Sequence, residues 1–326
     1  MLADILLNPV FSARDMALER DVIIQEIGAA QDTPDDQVFE HFQLAAFPGQ
    51  SLGRPILGTV DALKRLRGED LQAFRARHYL PGAMVVGAAG KLDHARLVAD
   101  VAQRFDPLLN QQSAPVPPAG YYPGESRLDR ALEQVHLVLG FEGVSFFDPD
   151  YYAAQVLSGV LGGGMSSRLF QEVRERRGLC YSVFSFASSY SDTGVFGVYA
   201  GTGAESLGEI VPVICGELNG LTGTIGDDEV ARARAQLKAG LLMGLESAGA
   251  RSEQIARQIM VFGRVLPIDE IIAAVDAVDA QRLSALAGRL LRADRLCVSA
   301  IGPLDQLESR TKIAARFNGE PVAAAS

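Results

Sequence analysis

A chain of 326 residues, 48% hydrophobic and 21% charged, carries enough apolar material for two domains with cores of their own. Its formal charge of −10 weighs against nucleic acid as a partner, since that needs a basic face. No apolar run is long enough to span a bilayer, no basic-then-apolar leader opens the chain, and no membrane partner is expected.

The first predicted element is a helix that opens at Ser12, whose side chain can cap it, with Asp15 in the first turn. It closes before Pro34, which removes a backbone donor and restricts Thr33. On it Glu19 and Glu26 stand seven apart, so both carboxylates project from one face. Val22, Ile23 and Ile27 form an apolar stripe that is expected to be buried. From spacing alone the acid pair reads as a solvated edge. A second helix starts at Thr33 and Pro34, with Asp35 and Asp36 favouring its positive end. After a Gly- and Pro-punctuated loop at 49–58 come short helices at 60–66 and 69–78. The apolar run 83–89 reads as a buried strand, and Asp93 caps a helix to about Phe105.

Five prolines between 107 and 124 make the stretch 108–127 a semi-extended linker between residues 1–107 and 128–318. Beyond it, 131–141 reads as a strand with Leu132, His136 and Val138 on one face. Asp148, Pro149 and Asp150 open a helix that ends at the glycines 162–164. Ser166 or Ser167 caps the next helix, which carries Arg168, Glu172, Arg174 and Arg176. Residues 179–190 and 194–200 read as paired strands. Helices at 204–221, 227–245, 249–262 and 280–291 follow, then a strand at 296–301 and a disordered tail at 319–326. The three widely spaced cysteines, Cys180, Cys215 and Cys297, predict buried free thiols and a reducing, cytoplasmic compartment.

Residues 71–93 align without gaps to 283–305, an offset of 212. Leu71, Ala73, Arg77, Val86, Ala88, Gly90, Leu92 and Asp93 recur as Leu283, Ala285, Arg289, Val298, Ala300, Gly302, Leu304 and Asp305. The expectation is an α+β fold of two homologous halves, each a mostly antiparallel sheet packed by helices. At the same offset Glu19 and Glu26 become Ala231 and Lys238, so only the first copy keeps the acids. Leu128 maps about 84 positions before Met1, so the first copy is expected to be incomplete.

The run from Glu19 to Glu26 (Glu-Arg-Asp-Val-Ile-Ile-Gln-Glu) resembles the pitrilysin/insulinase family of zinc metallopeptidases, which includes the mitochondrial processing peptidases. The resemblance continues through Thr33-Pro34-Asp35-Asp36, Gly53-Arg54-Pro55, His78-Tyr79-Leu80-Pro81, the glycines at 162–164 and the run from Arg174 to Tyr181. It implies that Glu26 is the third zinc ligand and Glu19 a supporting acid behind it. It also implies that Arg174 and Tyr181 hold the substrate backbone. Taken alone, that pair reads as a solvated basic helix end followed by a strand tyrosine. The family's His-x-x-Glu-His motif, two ligands and the general base, is absent from the chain. By the repeat offset its place falls about 50 residues before Met1. His41, His78, His94 and His136 have no partner at ligand spacing and read as structural.

The resemblance implies a zinc metalloendopeptidase acting on unfolded peptides, inactive as this chain stands, in which the donors for zinc are incomplete. Arg174 and Tyr181 on the chain that holds Glu26 point to a homodimer, with a heterodimer as the alternative. A non-catalytic partner subunit and a peptide-binding or assembly protein are the competing readings, so whether the chain is itself an enzyme stays open.

Overall fold

A computed structural model describes residues 1–105 and 115–317. The predicted tail at 319–326 and the first part of the predicted linker lie outside the described residues. The helices are α1 (Leu2–Leu7), α2 (Ala13–Gln31), α3 (Pro34–Ala46), α4 (Val60–Arg65), α5 (Gly68–His78) and α6 (His94–Phe105). Strands β1 (Glu125–Asp129) and β2 (Val135–Glu142), helix α7 (Tyr151–Gly162), and strands β3 (Cys180–Ser189) and β4 (Gly194–Thr202) come next. The chain closes with α8 (Leu207–Gly220), α9 (Asp227–Gly244), α10 (Ala248–Phe262), α11 (Ile268–Asp276), α12 (Ala280–Leu290), β5 (Cys297–Gly302) and α13 (Arg310–Ala315).

Local signals explain many boundaries. The Ser12 Oγ accepts from the Asp15 amide at 3.2 Å and donates to the Asp15 carboxylate, which secures the start of α2. Pro34 at the first position of α3, followed by Asp35 and Asp36, repeats the N-terminal pattern. The Asp93 carboxylate accepts from the Arg96 amide and caps α6.

The chain divides into two compact units. The first comprises Met1–Ala29, Ile56–Pro117 and Leu241–Pro267; the second comprises Ala30–Pro55, Pro118–Gly240 and Ile268–Ser326. The second unit is built on one sheet in the order β1-β5-β2-β4-β3, antiparallel except where β1 runs parallel to β5. β2 is buried along nearly its whole length, because both of its faces are covered. Leu137, Leu139 and Phe141 pack with the buried faces of α7, α8 and α12 in the main core. Val138, Tyr199, Cys297 and Ile301 face the other way, onto Val38 and Phe42 of α3. A Cβ at Gly140 would run into the Phe42 ring, so the close seating of α3 requires glycine there. The Ser299 hydroxyl donates to the Val38 carbonyl at 2.9 Å and anchors the same helix.

The repeat seen in the sequence persists in the elements. Shifted by 212, α5 falls on α12 end to end, and the 3-10 turn Pro81–Ala83 falls on Ala293–Arg295. Gly90 and Gly302, equivalent positions, both take left-handed φ values, 129° and 136°. The segment Ala30–Pro55 belongs to the second unit, and its repeat equivalent, within Leu241–Pro267, belongs to the first. The two copies have therefore exchanged equivalent segments.

Three expectations need correction. Residues 83–89 form no strand, although their β5 counterpart does; a ladder needs a partner, and the first unit holds no strand among the described residues. The stripe of Val22, Ile23 and Ile27 is not buried: α2 has no buried residue and Val22 is 47% exposed. Leu80 is the one buried apolar side chain of the first unit among the described residues. The strand predicted at 131–141 starts four residues later, and Glu125–Asp129, the end of the predicted linker, pairs with β5 instead.

Candidate functional site

The segment after the glycines at 162–164 departs from both regular helix and regular strand. Phe170–Arg176 winds as a π-helix, a rare geometry that recurs at functional sites. The buried side chains of Leu169 and Val173 anchor it to the main core. Four residues later β3 begins with a break in register: Cys180 faces Thr202 and Ser182 faces Gly201, which leaves Tyr181 as a bulged residue. The bulge turns Tyr181 outward, where it is 77% exposed. These two irregularities bring the predicted pair together, with the Arg174 guanidinium carbon 4.8 Å from the centroid of the Tyr181 ring.

Sequence reasoning missed a third member. The same guanidinium lies 4.7 Å from the ring centroid of Phe170, so the cation sits against two aromatic rings. The signal was an aromatic residue four positions before the arginine. Neighbouring arginines are held differently. Arg168 forks onto Glu229 with two contacts of 2.7 Å and donates to the Thr224 carbonyl and hydroxyl. That pairing raises the Arg168 pKa and lowers that of Glu229. Arg176 and Arg177 both pair with Glu172, whose carboxyl is held below its usual range chiefly by the Arg177 hydrogen bond. Among the described residues Arg174 alone of these four has no carboxylate partner, so its N–H groups remain available. Beside it, burial pushes the Cys180 thiol up to about 11, and the Arg174 charge opposes that shift.

The glycine loop serves close packing more than unusual dihedrals. None of the glycines at 162–164 has a positive φ, and a Cβ at Gly162 would collide with the Ser185 amide of β3. Gly164, Ser167, Glu229, Arg232 and Gln236 border a pocket of about 200 Å³.

Glu19 and Glu26 lie on α2, in the first unit, and both are exposed. Two turns of helix separate them by about 10 Å along the axis. Among the described residues no three His, Cys, Asp or Glu side chains gather where they could hold a metal ion. Zinc favours nitrogen and sulfur donors in a tetrahedral set, so these carboxylates do not by themselves fit the ion. Of the four histidines, His136 is buried with its Nδ1 2.9 Å from the Tyr199 hydroxyl, and His41 Nδ1 lies 3.2 Å from the Ser126 hydroxyl. Cys180, Cys215 and Cys297 are free and buried.

One sheet of this order packed by helices, with a helix and turn that recur along the chain, defines an α+β protein. The family model for the insulinase peptidases (peptidase family M16) matches residues 1–60, and that for the peptidase M16 inactive domain matches residues 65–237. An uncharacterized zinc protease of Rickettsia felis is 36% identical over 94% of this chain and 74% of its own length. One from Streptomyces coelicolor is 37% identical over 95% of this chain and 70% of its own. The probable mitochondrial-processing peptidase subunit beta of Arabidopsis thaliana is 35% identical, with 97% of this chain and 62% of that protein covered. A chain of complex III2 from Candida albicans superposes with a TM-score of 0.87 at 23% identity, over 97% of this chain and 76% of that one, a likeness of fold. The chain belongs to the insulinase (M16) family of peptidases, in which zinc is the expected metal.

Proposed function

We propose that this chain is the peptide-holding portion of a zinc metalloendopeptidase that acts on unfolded peptides. The observation that carries the reading is Arg174: a cation against two aromatic rings, without a carboxylate partner among the described residues, beside the exposed Tyr181. A fixed guanidinium fork and a phenol on a rigid ring together suit the carbonyls of an extended peptide and negative charge developing on them. Glu26 is proposed as the single zinc ligand that these residues contribute, with Glu19 as an acid supporting it. The imidazoles and the general base that the chemistry needs are not among the described residues, so no hydrolytic step is assigned to them. Three buried free thiols suit a reducing compartment, and the cytoplasm is the proposed location. A homodimer is the proposed assembly.

The absence of a ligand cluster among the described residues favours one competing reading, a non-catalytic partner subunit. One relative carries the name of a processing-peptidase beta subunit, and a heterodimer is the corresponding assembly. The genomic sequence in frame ahead of the Met1 codon separates the two. His-x-x-Glu-His about 50 codons upstream supports the peptidase, and a frame without it supports the partner subunit.

The direct test uses the 326-residue chain, an unfolded fluorescent peptide and metal analysis. The expected result is peptide binding without cleavage and less than one zinc per chain. Arg174→Ala should weaken binding about five- to tenfold, the worth of one or two partly exposed charge-assisted hydrogen bonds. Zinc-dependent cleavage by the chain itself would place the active site elsewhere. Peptide binding unaffected by Arg174→Ala would return Arg174 and Tyr181 to a solvated helix end and strand.

A further inference from the structure

We infer that Phe170 positions the Arg174 guanidinium, holding its flat face so that its N–H edge stays open to a peptide carbonyl or carboxylate. The inference deepens the proposed function, since it rests on Arg174 as the group that meets the peptide.

An arginine can be fixed in two ways. A carboxylate takes the N–H edge and spends the donors, as Glu229 does with Arg168 and Glu172 with Arg176 and Arg177. An aromatic ring takes the face and leaves the five donors of the planar fork unused. Among the described residues Arg174 is held in the second way only, at 4.7 Å from the Phe170 centroid and 4.8 Å from that of Tyr181. The two rings are not equivalent. Tyr181 stands on a bulge with most of its surface in solvent. Phe170 is half-buried, between the fully buried Leu169 and a turn anchored by Val173. Phe170 is thus the fixed wall, and Tyr181 the exposed one that a peptide meets. The spacing fits this task. Phe170 and Arg174 are four apart, and i,i+4 side chains on a helix face one another.

The experiment compares Phe170→Leu, which removes the ring face, with Phe170→Tyr, which keeps it. Phe170→Met repeats the comparison should leucine disturb the fold. Two readouts are taken on the full chain: the side-chain Nε–Hε NMR signal of Arg174, identified by its loss in Arg174→Ala, and the affinity for a fluorescent unfolded peptide. With the ring in place the signal carries a ring-current shift. Phe170→Leu should remove much of that shift and weaken peptide binding about fivefold, whereas Phe170→Tyr should preserve both. The double variant Phe170→Leu, Arg174→Ala should bind no worse than Arg174→Ala alone, because a positioning residue acts through the group it positions. An Arg174 signal unmoved by Phe170→Leu overturns the inference. So does a double variant in which the two losses multiply, or a Phe170→Tyr variant as weak as Phe170→Leu. Should Arg174→Ala leave peptide affinity intact, the proposed function fails, and the NMR shift still decides whether Phe170 sets the guanidinium.

Discussion

His136 shows what burial does to a single titrating group. It sits on β2, 9% exposed, with its Nδ1 2.9 Å from the Tyr199 hydroxyl. Burial lowers its pKa below the usual value, and the negative charge of Asp35 on α3 opposes that shift. The Tyr199 phenol is itself pushed up to about 12 by burial, so it keeps its proton. A histidine whose folded pKa is depressed is held neutral in the native state. Its contribution is therefore complete above the unfolded pKa of about 6.5 and is lost as pH falls from there toward the lower native value. Thermal melts should show Tm falling as the buffer goes from pH 7.5 to 5.5, and His136→Gln should flatten that part of the profile. An acid sensitivity unchanged in His136→Gln would have to come from other groups.

At the scale of elements, the seating of α3 on the sheet is the most exposed to a single change. Phe42 lies over Gly140, and Phe39 stacks on Tyr199 with ring centroids 5.5 Å apart. Gly140→Ala puts a methyl where the Phe42 ring stands. The ring or the helix must move, at a cost of about 1–3 kcal/mol, as for other overpacked cores. Urea unfolding should show a lower midpoint with little change in slope, and adding Phe42→Leu should recover part of the loss. A midpoint equal to that of the parent would mean that α3 is seated more loosely than the contact implies.

For the whole molecule, the exchange of equivalent segments sets how the chain comes apart. Val38, Phe42 and Phe47, encoded in the first repeat, are fully buried in the second unit. Each such side chain contributes roughly 1.5–3 kcal/mol by burial. We propose that the boundary between residues 1–107 and 128–318 falls in the part of the Pro-rich stretch 108–127 that precedes β1. A protease cut engineered there should leave two pieces that co-elute in size exclusion and separate only in denaturant. Pieces that part under native conditions would show that α3 is not held as described. Residues 128–326 made alone should unfold at lower urea or aggregate, since Val138, Tyr199 and Ile301 would lose their cover.

The sequence by itself determined what depends on near neighbours in the chain. Ser12 with Asp15, Pro34, and Asp93 mark helix starts, because a cap is satisfied within a few residues. The repeat was legible for the same reason: α5 and α12 carry one pattern at one offset. Arg174 and Tyr181 were singled out by their spacing, but nothing in that spacing told which arginine lacks a carboxylate. That depended on Glu172 and Glu229, the latter supplied by a helix 61 positions from Arg168. The π-helix and the bulge at Tyr181 were equally hidden, since both are choices of hydrogen-bond register that side-chain periodicity does not record. Only the tertiary structure decided that residues 83–89 stay unpaired while their equivalents form β5, and that Val22 stays in solvent. Strand pairing and burial need a partner surface from elsewhere, and an amphipathic pattern states a readiness to be covered without supplying the cover.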